Sequence, residues 1–462
     1  WVKDKGYYGQ YLYGRNYYSL SEKSEALGEA LSVLYGISGN EKAKQIISST
    51  PVTEYGITCI YPQIPNLPPY HNDAVWPFVE SYWAWASAKT GSTKSVLSAF
   101  GSLYRSAALF MTNKENLVAS TGDYLGTEIN SDRQLWSVAG NLALIYRVIF
   151  GITLEPNAIM FNPTIPKEYK GERMLNNFKF RNSIFYIIIN GYGNKYNKII
   201  LDGREIKGNK IPANLNGEHK IQIEMNNHEN SDSPINFVDN RFAPETPNPK
   251  LESKKIIWDK AENASAYLVY KDGKFIKKTN EASFEINANV FGDYQVAAVD
   301  ASGLQSFLSE PVNFVPQKNI TVIQAEDGNK NIQNNYSGFE GAGYILLDKS
   351  QFPGQEVVFY VDITKEGSYS IDFRYANGNG PLNTDNKCAI RTLAIDGKRA
   401  GAVVFAQRGV DAWTDWGFTN SILKKLSKGK HTLTISFETS DNNMNVDTNT
   451  ALLDYARIIK VD

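Results

Sequence analysis

Apolar positions in the first third of the chain recur at helical spacing. Leu27, Ala30, Leu31 and Leu34 follow a Ser19/Glu22 capping-box pattern, and Gly36 supplies a stop. A shorter helix is predicted after Asn40. Ser92 or Thr93 opens another, with Val96, Leu97, Phe100, Leu103, Tyr104 and Ala107 on one face. Ser131 with Gln134 repeats the capping box ahead of Leu135, Trp136, Val138, Ala139, Leu142, Ile145, Tyr146 and Ile149, and Gly151 ends the run. Between these, Ala74 to Ala88 is apolar nearly all round, which predicts a helix buried among others, with Pro77 limiting where it begins.

Near residue 152 the period changes to two. Phe178 and Phe180, then Ile184, Tyr186 and Ile188, then Ile221, Ile223 and Met225 alternate, and Asp202-Gly203 marks a tight hairpin, so 152–228 reads as a β-sandwich. Residues 229–251, rich in Asn, Asp and Pro without period, read as a linker. A short all-β unit at 252–316 carries Trp258, then Tyr267-Leu268-Val269-Tyr270, then Tyr294 to Asp300. It resembles a fibronectin type III domain, including a Tyr placed to form a tyrosine corner. In 317–462, Tyr369, Ile371, Phe373 and Tyr375 alternate, as do Leu433, Ile435 and Phe437, and the size matches a jelly roll. The predicted architecture is therefore multidomain, α followed by all-β.

Composition narrows the chemistry. The chain has 462 residues, too many for one core, and 12% aromatics with 27 Tyr and 8 Trp, a surplus over ordinary globular usage. Lys plus Arg (48) balance Asp plus Glu (49), so no global field favours nucleic acid or an anionic membrane, and a neutral partner is expected. Two cysteines, Cys59 and Cys388, exclude a disulfide framework and a cysteine metal site. No apolar run reaches the roughly 20 residues of a membrane span. Trp1 reads as an interior start, so an N-terminal remainder of the same protein is an expected partner.

Two segments of the helical part carry candidate chemistry. In Tyr70-His71-Asn72-Asp73-Ala74-Val75-Trp76-Pro77, polar side chains and an indole meet at the start of the buried helix. A sugar, with many hydroxyls and an apolar face, suits that mixture. Asn72 or Asp73 capping the helix is the plainer alternative. In Thr121 to Glu128, a carboxylate precedes a helix N-terminus, where the dipole favours its ionised form. That suits a base, or simply a surface acid.

Tyr70-His71-Asn72 with Trp76-Pro77, and Glu128 followed by Gln134-Leu135-Trp136-Ser137, resemble the C-terminal half of six-hairpin, (α/α)6-toroid glycoside hydrolases of the glycogen-debranching, trehalase and α-rhamnosidase type. The resemblance covers about residues 1–225 and implies that 1–151 is part of a toroid. It also implies inverting hydrolysis, two carboxyl groups standing roughly 6.5–9.5 Å apart across the scissile bond. Glu128 is the expected base, with Asp73, which replaces a common Gly, as its rival. Tyr70, His71, Asn72, Trp76, Gln134 and Trp136 are expected around the substrate, and the acid is expected from an earlier part of the toroid. A polysaccharide lyase using Tyr70, His71 and Asn72 is an alternative, as is a non-catalytic glycan-binding scaffold.

The C-terminal stretch opens Gln324-Ala325-Glu326-Asp327, continues through Gly338-Phe339-Glu340-Gly341 and Arg374-Tyr375-Ala376-Asn377, and closes Leu453-Asp454-Tyr455. In that order it resembles carbohydrate-binding modules of families 6 and 35. The resemblance implies a structural Ca²⁺ held by Glu326 and Asp454, clamping opposite chain ends through hard oxygen ligands. Tyr375, Asn377, Trp413, Trp416 and Asn445 are the implied glycan contacts, although the two Trp also suit the sandwich core. A poly- or oligosaccharide ligand and a secreted, periplasmic or cell-surface location follow from the resemblance.

Overall fold

The computed structural model describes residues 1–229, 234–287, 289–348, 350, 354–381, 387–442 and 449–462. Strands hold 40% of the chain and helices 17%, so the protein is mostly β. Among the described residues there are five α-helices: α1 (Ala26–Leu34), α2 (Gly39–Ser49), α3 (Pro77–Thr90), α4 (Thr93–Phe110) and α5 (Leu135–Ala143), the last continued by a π-helical turn at Leu144–Ile149.

These helices correct the expectation of an (α/α) toroid. They form a cluster around α3, which packs against α1, α2, α4 and α5, rather than a ring of successive hairpins. The cause lies in α3 itself: a helix with apolar residues on every side needs neighbours on every side. Two helix starts also move. Ser19 and Glu22 do not cap α1; Glu25 does, accepting from Leu27 and Gly28 N–H, while Ser19–Leu20 is a strand. Ala74–Val75 is extended and pairs with Leu117–Val118, so α3 begins at Pro77, where a missing N–H costs nothing. Glu80, buried on α3, takes Ile57 N–H (2.5 Å) and Ser102 Oγ–H (3.0 Å), tying α3 to α4 and to the preceding loop.

A five-stranded sheet follows, in the order Arg204–Ile206, Tyr196–Leu201, Gly217–Met225, Ser183–Asn190, Glu172–Phe180. The Asp202-Gly203 turn joins its outer pair as predicted. The face it buries is the one opposite to the predicted alternation: Phe185, Ile187 and Ile189 are at most 1% exposed, whereas Ile184, Tyr186 and Ile188 are half-buried. Both sets are apolar, so the pattern alone leaves the phase undetermined. Each buried member contributes about 1.5–3 kcal/mol relative to exposure, which fixes the register once a core is available. That core is shared. One apolar cluster joins Trp76, Trp83, Phe100 and Val148 of the helical part to Phe185, Ile187, Ile221 and Ile223 of the sheet.

Residues 250–314 form a sandwich of three strands (Lys250–Glu252, Lys255–Ile257, Ser283–Glu285) on four (Lys274–Thr279, Ala266–Lys271, Gly292–Val299, Val312–Phe314) around Trp258, Tyr267 and Val296. The C-terminal sandwich packs a seven-stranded sheet centred on Ala451–Lys460 and Gly367–Ala376 against four strands: Glu356–Ile363, Gly429–Ser436, Ala389–Ile395 and Lys398–Phe405. Phe359, Phe373, Phe405 and Leu433 fill its core.

An N-terminal hairpin, Leu12–Tyr13 paired with Ser19–Leu20, joins the units. Asn16 N–H donates to Asp293 of the middle sandwich (3.1 Å) while its Oδ1 accepts from Ser370 Oγ of the C-terminal one (2.6 Å). Arg15 donates to Ser421 Oγ (2.7 Å), to Thr419 O (3.1 Å) and to the carboxylate of Asp372 (2.6 Å). Asp372 is 0% exposed and also receives the Nε and Nη2 of Arg457 (2.9 and 2.8 Å).

Candidate functional site

The structure gathers the first predicted block at the N-terminus of α3. His71 stacks on Trp76 (4.9 Å, 18°), Tyr70 meets both rings, and Trp136 of α5 lies 5.5 Å from Trp76 while stacking on Phe78 (5.0 Å). A groove of about 460 Å³ continues along α3 and α5, lined by Phe78, Tyr82, Trp85, Trp136 and Arg147. Trp136, 43% exposed, and His71 are rings of this cluster offered to solvent.

The polar members of the block have other work. Asn72 Oδ1 accepts from Ile64 N–H (2.7 Å) and its amide donates to Ile64 O (2.9 Å) and Leu67 O (3.2 Å), so it closes the proline-rich loop. Trp76 Nε1 donates to Tyr70 O (2.6 Å). Gln134 caps α5 through Leu135 N–H (3.0 Å). Asp73 adopts a left-handed φ of 47° and is buried; its carboxylate accepts from Asn240 Nδ2 (2.6 Å) and Ser120 Oγ (3.5 Å). Burial raises its pKa, against those hydrogen bonds. Glu128 is exposed, and its backbone N–H donates to Pro69 O (2.9 Å), which sets it beside the Tyr70 loop.

Two partners here escape sequence reasoning. Glu115, buried, accepts the Tyr70 hydroxyl (3.0 Å). Asn240 comes from the segment read as a linker, which returns along the body through bridges Val52↔Phe237 and Gln63↔Phe242. Ile235, an apolar residue inside a polar run that packs against the shared core, is the signal for that docking; Phe237 and Phe242 pair through their backbones and keep exposed rings.

The C-terminal residues separate into interior and rim. Tyr375 is buried edge-on to Phe405, and Asn377 is 0% exposed with its amide on Phe405 O (2.9 Å) and Lys387 O (3.2 Å), so both shape the loops from inside. Trp413 is half-buried and stacks on Tyr336 (5.8 Å, 24°), itself 38% exposed. Trp416 Nε1 donates to Ser337 O (2.9 Å). Asn445 lies outside the described residues.

Glu326 and Asp454 converge on one loop. Ala342 N–H donates to Glu326 Oε1 (2.6 Å) and Glu340 N–H to the Asp454 carboxylate (3.2 Å). Gly341 sits between, with φ 78° and no room for a side chain: a Cβ would lie 2.2 Å from Glu326 Oε1. Arg374 pairs with Asp454, whose pKa burial nevertheless pushes up to about 6. Glu326 Oε2 and Gln324 Oε1 are buried without a partner. Orphaned buried oxygens are costly unless something binds them, and their chemistry fits a hard cation. Gln324 and Arg374 also belong to this site, although the resemblance implies no role for either.

Comparisons with known proteins find carbohydrate-active relatives. The shared region is carbohydrate-binding-module-like. Cycloisomaltooligosaccharide glucanotransferase of Niallia circulans is 29% identical over 167 residues, 36% of this chain and 16% of that enzyme. Endo-1,4-beta-xylanase B of Cellvibrio japonicus is 32% identical over 116 residues, 25% of this chain and 18% of that enzyme. The chain thus spans less than a fifth of these relatives, which are carbohydrate-active enzymes. Among solved structures, a CBM35 from Cellvibrio japonicus Abf62 aligns with 31% of this chain and 95% of its own at 21% identity and a TM-score of 0.24. No family model matches the chain. Among the described residues, no helix is long and apolar enough to cross a membrane.

Proposed function

We propose that this chain is the glycan-binding part of a secreted carbohydrate-active protein, in which the C-terminal sandwich binds a neutral oligosaccharide and is clamped by Ca²⁺. The carrying observation is the stacked, partly exposed Tyr336–Trp413 pair beside the acidic loop: a sugar face can lie on such a platform. Trp413 Nε1 packs against Gly378, where a Cβ would lie 2.7 Å away, which holds the ring in place. Glu326, Asp454 and Gln324 would hold the ion, which supplies a fixed positive charge that ties the first strand's end to the last strand. The middle sandwich, fibronectin type III-like in its three-on-four arrangement, serves as a spacer.

Calorimetric titration of the chain with isomalto-, xylo- and arabino-oligosaccharides tests the reading. Binding of at least one, weakened about tenfold by Trp413→Ala with the secondary structure unchanged, is expected. No binding by the parent chain overturns it.

Catalysis is the second reading, favoured by the exposed Glu128 set beside the Tyr70 loop. In inverting hydrolysis Glu128 would be the base, with Asp73 as its rival for that role and the acid supplied from elsewhere in the protein. Glu128→Gln in the full-length protein should abolish release of reducing sugar while preserving the fold; an unsaturated, ultraviolet-absorbing product would instead show elimination.

A further inference from the structure

We infer that the junction of the three units is a second, separate site for a neutral oligosaccharide. A crevice of about 530 Å³ opens there, lined by Tyr13, Arg15 and Tyr18 of the hairpin, Glu310 of the middle sandwich and Phe418 and Ser421 of the C-terminal one. Its volume lies within the roughly 300–1,000 Å³ of small-ligand sites, which favour such domain interfaces.

The lining has the chemistry of sugar recognition. Tyr18 is 65% exposed, with no hydrogen bond to its hydroxyl among the described residues, and offers an unobstructed ring. Tyr13 is fixed by its hydroxyl on Leu308 O, and Phe418 by the Arg457 guanidinium 3.5 Å from its centroid. Fixed rings cost little further ordering when a pyranose lies on them. Arg15 commits Nε and Nη2 to the junction but leaves Nη1 without a bond among the described residues. Glu310 is exposed, and its charge reaches Tyr13, so carboxylate and phenol face the same space. A carboxylate and a guanidinium edge are the acceptor and donor that vicinal hydroxyls use.

Charge decides the ligand class. Arg15 and Arg457 are offset by Asp372 and Glu310, so the crevice is neutral overall and the carboxylate at its mouth disfavours a uronate. The site exists only while the hairpin is docked between the sandwiches, which separates it from the Trp413 platform. This inference rests on the glycan-binding reading above.

The test is titration of the full chain carrying Trp413→Ala with isomaltopentaose, xylopentaose and arabinopentaose. Residual binding of at least one is expected, and adding Tyr18→Ala or Glu310→Gln should weaken it roughly tenfold without moving the melting temperature. Hydrogen exchange at residues 12–20 and 418–421 should slow on ligand addition. If the parent binds and Trp413→Ala abolishes all binding, or the residual binding ignores Tyr18→Ala, the junction site is refuted while the Trp413 reading stands. If the parent binds nothing, both fail.

Discussion

Replacing Arg15 by Ala separates what the hairpin contributes from what the C-terminal sandwich holds by itself. Asp372 is fully enclosed and accepts three charge-assisted bonds, one from Arg15 and two from Arg457. After Arg15→Ala, the Arg457 fork remains, so no buried charge is stranded. What disappears is one bond to a charged group, worth about 1.5–3 kcal/mol, together with weaker ones to Ser421 and Thr419. Arg15 retains 29% side-chain exposure, so solvent recovers part of this, and a loss of about 2–3 kcal/mol is expected. The loss falls on the coupling between units, not on either core. Differential scanning calorimetry should therefore show the C-terminal sandwich melting as a separate, earlier transition. Arg457→Ala, which leaves Asp372 with a single partner from another unit, should cost more, about 3–5 kcal/mol. An unchanged single transition for Arg15→Ala, or an Arg457→Ala no worse than it, would refute the reasoning.

Three further outcomes follow from the geometry. Burial raises the Glu80 pKa from its ordinary 4.5 to about 8, so the native state binds more protons than the unfolded chain between those values and stability falls as pH rises through that window; Glu80→Gln should flatten this loss in urea titrations from pH 5 to 8. Chelation should lower the melting temperature of the C-terminal sandwich, and Glu326→Gln should remove the response; a parent indifferent to chelator would show that Glu326 and Asp454 hold no metal. Gly341→Ala combines a positive φ with a Cβ 2.2 Å from Glu326 Oε1 and should cost about 1–3 kcal/mol by chemical denaturation, with loss of the chelator response.

The element types were largely readable from periodicity, because period and punctuation are local properties. What was not readable depended on non-local packing. The Ser19/Glu22 pattern looks like a cap, yet Ser19 Oγ donates to Gln295, far along the chain (2.9 Å). The strand at Ser183–Asn190 is apolar on both faces, so only its neighbours choose the inner one. The all-round apolar run of α3 does give a buried helix, but a toroid is a statement about how helices follow one another in space, and no local spacing contains it. At the candidate sites, side-chain types were legible and their commitments were not. Asn72 and Asn377 look like ligand amides until their backbone partners are seen, and the unpartnered oxygens of Gln324 and Glu326 become visible only in three dimensions.

The core shared by helices and sheet has a consequence for synthesis. A ribosome emitting this chain releases α1 to α5 before the strands that cover them exist, and Trp83 and Val148 share a core with Ile221 and Ile223. Helices of nine to eighteen residues are marginal in water without such packing. The first 225 residues must therefore emerge before any of them can fold as a unit. The hairpin waits longer still: it precedes α1 in the chain, yet its partners include Asp372, Thr419 and Ser421, so it is secured only after units that follow it by hundreds of residues have emerged.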